Sequence, residues 1–367
     1  MRNYAVKPSK PTRWFRWMMG LLVLWGIVFW FVWRSSGPNP ESPASTAVLP
    51  PRNGQSEAGA SPRPNASSRI AQQPAPPVSA PRLQTRWQVN YGDGADELGV
   101  IHAPEMAPIG PESFALTSDG HVCVGDPVNQ RIQVYAADGT HLRAVPLPGI
   151  SVNDVMTDAQ GRFYVFNQDE HLLHQFAADG TPASTLQLDP ADLDTRGYFH
   201  LVGNAVYFAD AAVRDVLVAH IQDGQLIRPE TTTVRRTEGI HAESGRIYAV
   251  SVVREQELGL QIHDPTDRSA EHRLSVALPC VVAAGFIGED QSRRFYLWTE
   301  RWQEERVVME VLTFDAAGEV LGAFRLPEND YYLWTTQPMA VAADGTLVQF
   351  LPQRGQASLS MFAKETR

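Results

Sequence analysis

The side chains able to do chemistry are scattered. Of ten histidines, only His171 and His174 lie close together. Three apart on a strand, they fall on opposite faces, which suits a shared metal poorly. Asp189, Asp192 and Asp194 offer carboxylate oxygens to a calcium ion, but their spacing lacks the ligand set of a calcium loop and reads as a solvated acidic loop. Cys123 and Cys280 read as two buried thiols. The chain has no Gly-rich phosphate loop, no His-Glu-x-x-His, no Gly-x-Ser-x-Gly elbow and no Cys-x-x-Cys pair. No catalytic residue, metal ligand or cofactor is therefore assigned. Two stretches suit a partner better: Glu300-Arg301-Trp302-Gln303-Glu304-Glu305 and Asn329-Asp330-Tyr331-Tyr332-Leu333-Trp334. Trp, Tyr and Arg are the side chains that most often anchor interfaces.

The elements that must hold these residues follow from composition. The chain has 367 residues, a net charge of −10, 43% hydrophobic residues, 27 Gly and 27 Pro. That is enough apolar content for a large core, and the acidic balance argues against binding nucleic acid through a basic surface. Residues 14–34 form an apolar run long enough for one bilayer crossing, with Trp17, Leu21, Trp25, Trp30 and Trp33 inside it. Arg2, Lys7, Lys10, Arg13 and Arg16 precede the run's charge-free core and Arg34 alone follows closely. This bias places a short tail, residues 1–13, in the cytoplasm and everything after the helix outside. The alternative, a cleaved signal peptide, expects a shorter apolar core and a small-residue cleavage site. Residues 35–84 hold 11 prolines and no aromatic residue, which predicts a flexible linker reaching about 40 Å. The first 84 residues carry 10 bases and 2 acids, leaving residues 85–367 with 39 acids against 21 bases.

Residues 85–367 show no sustained helical period. Short β-rich runs alternate with Asp-Gly turns, and the turns repeat. Glycines at 120, 161, 203 and 245 are spaced 41, 42 and 42 residues apart. Phe295-Tyr296-Leu297 and Ala342-Ala343-Asp344-Gly345 mark a fifth and a sixth copy. A second hairpin follows in several copies, as in Tyr135-Ala136-Ala137-Asp138-Gly139 and Phe176-Ala177-Ala178-Asp179-Gly180. Six copies of four strands predict an all-β, six-bladed β-propeller. Trp87-Gln88-Val89-Asn90-Tyr91 has no preceding hairpin, while the last copy ends after three strands. The N-terminal strand is therefore expected to complete the sixth blade.

The first copy, with Leu98-Gly99, Pro111-Glu112-Ser113-Phe114, Asp119-Gly120, Val124-Gly125-Asp126, Asn129-Gln130-Arg131-Ile132 and Asp138-Gly139, resembles an NHL repeat. Later copies keep the turns and strands and lose the Asp…Asn-x-Arg segment. The resemblance implies that Asp126, Asn129 and Arg131 brace the turn and its neighbour, not that they form a site. Propeller lyases similar to this fold hold a metal on channel histidines, which draws attention to His200 and His241 near presumed inner strands.

These readings lead to one expectation. The chain is a single-pass protein of the cytoplasmic membrane, N-terminus inside, holding a propeller in the periplasm or extracellular space. It binds a protein or envelope component as a non-catalytic scaffold or accessory subunit, through loops bearing Arg301, Trp302, Tyr331, Tyr332 and Trp334. The competing reading packs Trp334 and one tyrosine between blades. The alternatives in function are a propeller-type lyase or lactonase with a channel metal, and a sensor of a sugar or small ligand.

Overall fold

The computed structural model describes residues 71–80, 82–102, 105–193, 197–210, 214–230, 236–253, 256–266, 271–327 and 332–363. The expected tail, the membrane segment with Trp17, Leu21, Trp25, Trp30 and Trp33, and the linker up to residue 70 lie outside them. Among the described residues, no helix is long and apolar enough to cross a membrane.

Three strands come first: β1 (Ala71–Gln73), β2 (Val78–Ser79) and β3 (Leu83–Asn90). Six antiparallel sheets follow in chain order. Blade 1 holds Phe114–Leu116, Val122–Asp126, Arg131–Tyr135 and His141–Pro146, and blade 2 holds Asp154–Thr157, Phe163–Asn167, Leu172–Phe176 and Pro182–Gln187. Blade 3 has Gly197–Val202, Ala205–Asp210 and Arg214–Gln222, with an outer strand split into Gln225–Ile227 and Arg236–Glu238. Blade 4 runs from Ile240–His241 through Ile247–Val253 and Glu257–His263 to Glu271–Ala277. Blade 5 is the longest, with Val281–Glu289, Phe295–Gln303, Arg306–Phe314 and Val320–Arg325. Blade 6 supplies Met339–Val341, Leu347–Gln353 and Gln356–Phe362, and β3 adds its fourth strand, pairing Trp87 with Leu359. The N-terminal strand thus closes the ring and covers an open edge.

The strands within each blade are lettered A to D from the channel outward. A–B and C–D turns lie on the lower face. B–C turns and the connections between blades lie on the upper face. Three C–D turn glycines account for the second hairpin signal of the repeat. Gly139, Gly180 and Gly318 all have φ near +90°. A Cβ on each would lie 2.5 Å from Trp87, 2.4 Å from Val145 and 2.2 Å from Leu274, respectively. Each struck side chain belongs to strand D of the preceding blade. The turn therefore needs glycine both for its left-handed backbone and for the close approach of neighbouring blades.

Two features depart from sequence expectation. The described end of the Pro-rich stretch is structured: β1 runs parallel to strand D of blade 4, and β2 parallel to strand D of blade 5. Gln73 fixes this path, donating to the Gly318 carbonyl at 2.8 Å and accepting from the Val320 amide at 2.8 Å. Cys123 is buried, with its thiol pushed up to about 12 by burial, whereas Cys280 is exposed with φ +60°.

Apolar clusters fill five seams. They join blades 1 and 2, 2 and 3, 4 and 5, 5 and 6, and 6 and 1. At the seam of blades 3 and 4, blade 3 contributes only Ala209 and Tyr198 to the neighbouring cluster. A gap of about 530 Å³ opens there, lined by Arg214, Glu238, Glu257 and Arg273 among others.

Candidate functional site

Polar bonds cross the seam of blades 3 and 4. Asp215, on strand C of blade 3, is fully buried. His200, on strand A of the same blade, meets its Oδ1 through Nε2 at 2.9 Å. His241, on strand A of blade 4, reaches Oδ2 through Nδ1 at 2.8 Å and donates its backbone N–H at 2.6 Å. Tyr207 stacks against both imidazoles, with ring centroids 5.6 and 4.4 Å away. Burial alone would raise the Asp215 carboxyl. The charge of His200 and the hydrogen bonds from both histidines outweigh it and hold the group below its ordinary range. Each histidine thus spends one ring nitrogen on a structural bridge. Among the described residues, no group of three or more His, Cys, Asp or Glu is arranged to hold a metal ion.

The channel is recessed at both mouths. The lower recess, about 630 Å³, is lined by the inner strands with His200, Glu243, Glu289 and Arg293. The upper recess, about 390 Å³, collects residues distant in sequence. Glu112 enters from just before blade 1, Asn153 and Asp154 from the start of blade 2, and Gln168 and His171 from its B–C turn. Phe166, Phe199 and Phe208 form its apolar wall, with centroid spacings of 4.5 and 5.0 Å. Gly197 is required there, because a Cβ would come within 2.3 Å of the Phe208 ring. Trp334 stands at the rim with 69% of its surface exposed. Its loop is pinned from beneath: Thr336 donates its backbone N–H to the Glu112 carbonyl at 2.9 Å.

The two carboxyls of this recess are unusual. Burial raises Glu112 to about 7, against a hydrogen bond from Asn153, and the charge of Asp169 adds to the rise. Asp154 is 3% exposed, and burial raises it to about 7 despite hydrogen bonds from the Phe199 amide at 2.6 Å, from Ser113 and from the Val155 amide. His171 Nδ1 is buried without a hydrogen-bond partner. None of the lining residues is Lys or Arg.

The residues singled out by sequence fall into three groups. Asp126 accepts from the Gly99 amide at 2.9 Å, Asn129 Nδ2 at 2.9 Å and Arg131 Nε at 3.1 Å. Arg131 donates on to the carbonyls of Gly94 and Glu97, and Asn129 to that of Gly92, so the trio ties the chain leaving blade 6 to blade 1. Arg301 and Trp302 lie on strand B of blade 5, and the turn itself is only Glu304 and Glu305, with φ +47° and +65°. Arg301 is engaged internally, donating to Glu310 at 2.8 Å and to the Pro279 carbonyl at 3.1 Å. Trp302 is 53% exposed. Tyr332 hydrogen-bonds the His102 ring at 2.8 Å and packs near Tyr91, at the junction of blades 6 and 1. Tyr331 lies outside the described residues. Trp334 therefore joins the recess, whereas Arg301 and Tyr332 hold structure. Sequence reasoning had no means to find Glu112, Asp154, His171 or Asp215 as members of sites, because no local spacing unites them.

No family model matches the chain, and no curated protein matches it. Solved structures resemble its fold. A member of the DUF4221 family from Bacteroides vulgatus is 10% identical, with a TM-score of 0.46 over 77% of this chain and 98% of that one. Streptogramin B lyase is 10% identical, with a TM-score of 0.39 over 76% and 97%. The WD40 repeats of RRP9 are 10% identical, with a TM-score of 0.41 over 78% and 100%. At these identities and TM-scores the likenesses carry no statement about activity, and the chain's own six sheets make it an all-β six-bladed propeller.

Proposed function

We propose that this chain is a membrane-tethered, NHL-like propeller that binds a partner non-catalytically through the upper mouth of its channel. The tether is the apolar segment 14–34, with the N-terminus in the cytoplasm and the propeller outside. The observation that carries the reading is Trp334. A large aromatic ring left 69% exposed, on a loop fixed by backbone hydrogen bonds, supports an interface better than a core. Trp302, 53% exposed near the B–C turn of blade 5, lies on the same face.

The test is purification of the full-length protein in mild detergent, with chemical cross-linking and mass spectrometry. The expected result is a stoichiometric partner cross-linked around residues 300–336, lost in Trp334→Ala with the melting temperature unchanged. A protein that emerges alone, or cross-links confined to the lower face, would sink the reading.

A further inference from the structure

We infer that the upper recess receives a single cationic side chain, the guanidinium or ammonium of an Arg or Lys on a partner protein, between Trp334 and Glu112. This rests on the reading of the upper mouth as the binding face and names the chemistry of that contact.

Size comes first. A recess of about 390 Å³ accepts one long side chain, not a folded element. Its lining suits the two halves of such a side chain. Phe166, Phe199 and Phe208 offer an apolar wall to an aliphatic stem, and Trp334 offers a ring face to the charge. Charge decides the sign. Glu112 and Asp154 face inward, Asp169 is close enough to act on Glu112, and no Lys or Arg lines the cavity. Asp154 already accepts two backbone amides, so Glu112, with one recorded side-chain partner in Asn153, is the acceptor left for a ligand. His171 also lines the same space.

The arrangement makes binding depend on pH. Glu112 is half protonated near pH 7, and a cation beside it favours the ionised form. Binding therefore releases a proton near neutrality. Affinity rises with pH up to about 7 and levels off above it. The titratable groups facing Glu112 are Asp154, Asp169 and His171.

The experiment uses the full chain in detergent, with butylguanidinium as probe and butyrate and butanol as comparisons, followed by saturation-transfer NMR. Butylguanidinium is expected to bind roughly tenfold more tightly at pH 8 than at pH 6, as the ionised fraction of a group near 7 changes. Glu112→Gln should weaken binding at pH 8 by about the same factor and leave only the pH dependence that Asp154, also raised to about 7, supplies. Trp334→Ala, at an exposed position safe for folding, should weaken binding without changing the pH profile. Binding of butyrate or butanol equal to that of butylguanidinium overturns the inference, as does a Glu112→Gln protein that binds the cation unchanged. If the probe fails while the cross-links at 300–336 persist, the charge class is wrong and the face is right. If both fail, the face is wrong.

Discussion

Replacing Asp215 by asparagine asks whether a polar bridge does at one seam what apolar clusters do at the other five. The carboxylate takes two imidazole contacts and one backbone N–H, at 2.9, 2.8 and 2.6 Å. Asparagine keeps the volume and one acceptor oxygen. It removes the charge and leaves at least one histidine facing an amide that cannot satisfy it. Hydrogen bonds to charged groups are worth about 1.5–3 kcal/mol each, so two weakened contacts imply a loss of about 3 kcal/mol at pH 7. That matches the lower end of the roughly 3–5 kcal/mol seen when one partner of a buried pair is removed. For a domain of this size it lowers the melting temperature by about 5 °C. The pH dependence has a fixed sign. A carboxyl held below its unfolded value contributes stability that is complete above about pH 4 and fades as the pH falls through its folded value. Thermal melts of wild type and Asp215→Asn from pH 8 down to pH 3 should therefore converge in acid. A melting temperature within 2 °C of wild type at pH 7, or a gap that widens in acid, would refute the reasoning.

Three further outcomes are expected. Ellman titration of the native protein should find Cys280 and miss Cys123, which becomes reactive only on unfolding; two fast thiols would contradict the packing of blade 1. Gly139→Ala should cost more than Gly120→Ala in urea unfolding. Both lose a left-handed glycine, at about 1 kcal/mol, but only at residue 139 does the new Cβ strike Trp87, while nothing lies near residue 120. Equal losses would show that Gly139 matters for backbone alone. Trp87→Ala should cost about 3–5 kcal/mol through the cavity it leaves against Tyr135, whereas Trp334→Ala should leave the melting temperature where it was. A large effect at residue 334 would put its ring in the core.

The propeller was legible because its repeat is written in local chemistry. The A–B turn glycines at 120, 161, 203 and 245 are demanded by their left-handed backbone, and the C–D turn glycines of blades 1, 2 and 5 also by the neighbouring blade, so the spacing survives where other residues have drifted. The closing strand could be read for a similar reason: Trp87 and Val89 alternate with polar residues and had no partner before them. The recess could not be read. Glu112, Asp154, His171 and Trp334 meet only because four separate loops end at one mouth. The partner of Arg301 could not be read either: Glu310 lies nine residues on, across a hairpin. His200 and His241 were visible near the channel, but Asp215 between them was not. The strands at residues 71–79 escaped because they pair through backbone groups, which composition does not record.

The course of β1, β2 and β3 around three successive blades has a mechanical consequence. The chain meets blade 4, then blade 5, then blade 6, on the outermost edge each time. A pull on the N-terminal segment loads these contacts one after another. The two short parallel strands yield first, and residues 71–82, once freed and fully extended, span about 40 Å. Only then does the force reach β3, whose eight residues lock the ring. The belt is thus a fuse in series with the propeller: a pull along the chain spends itself on strands whose loss leaves all six blades closed.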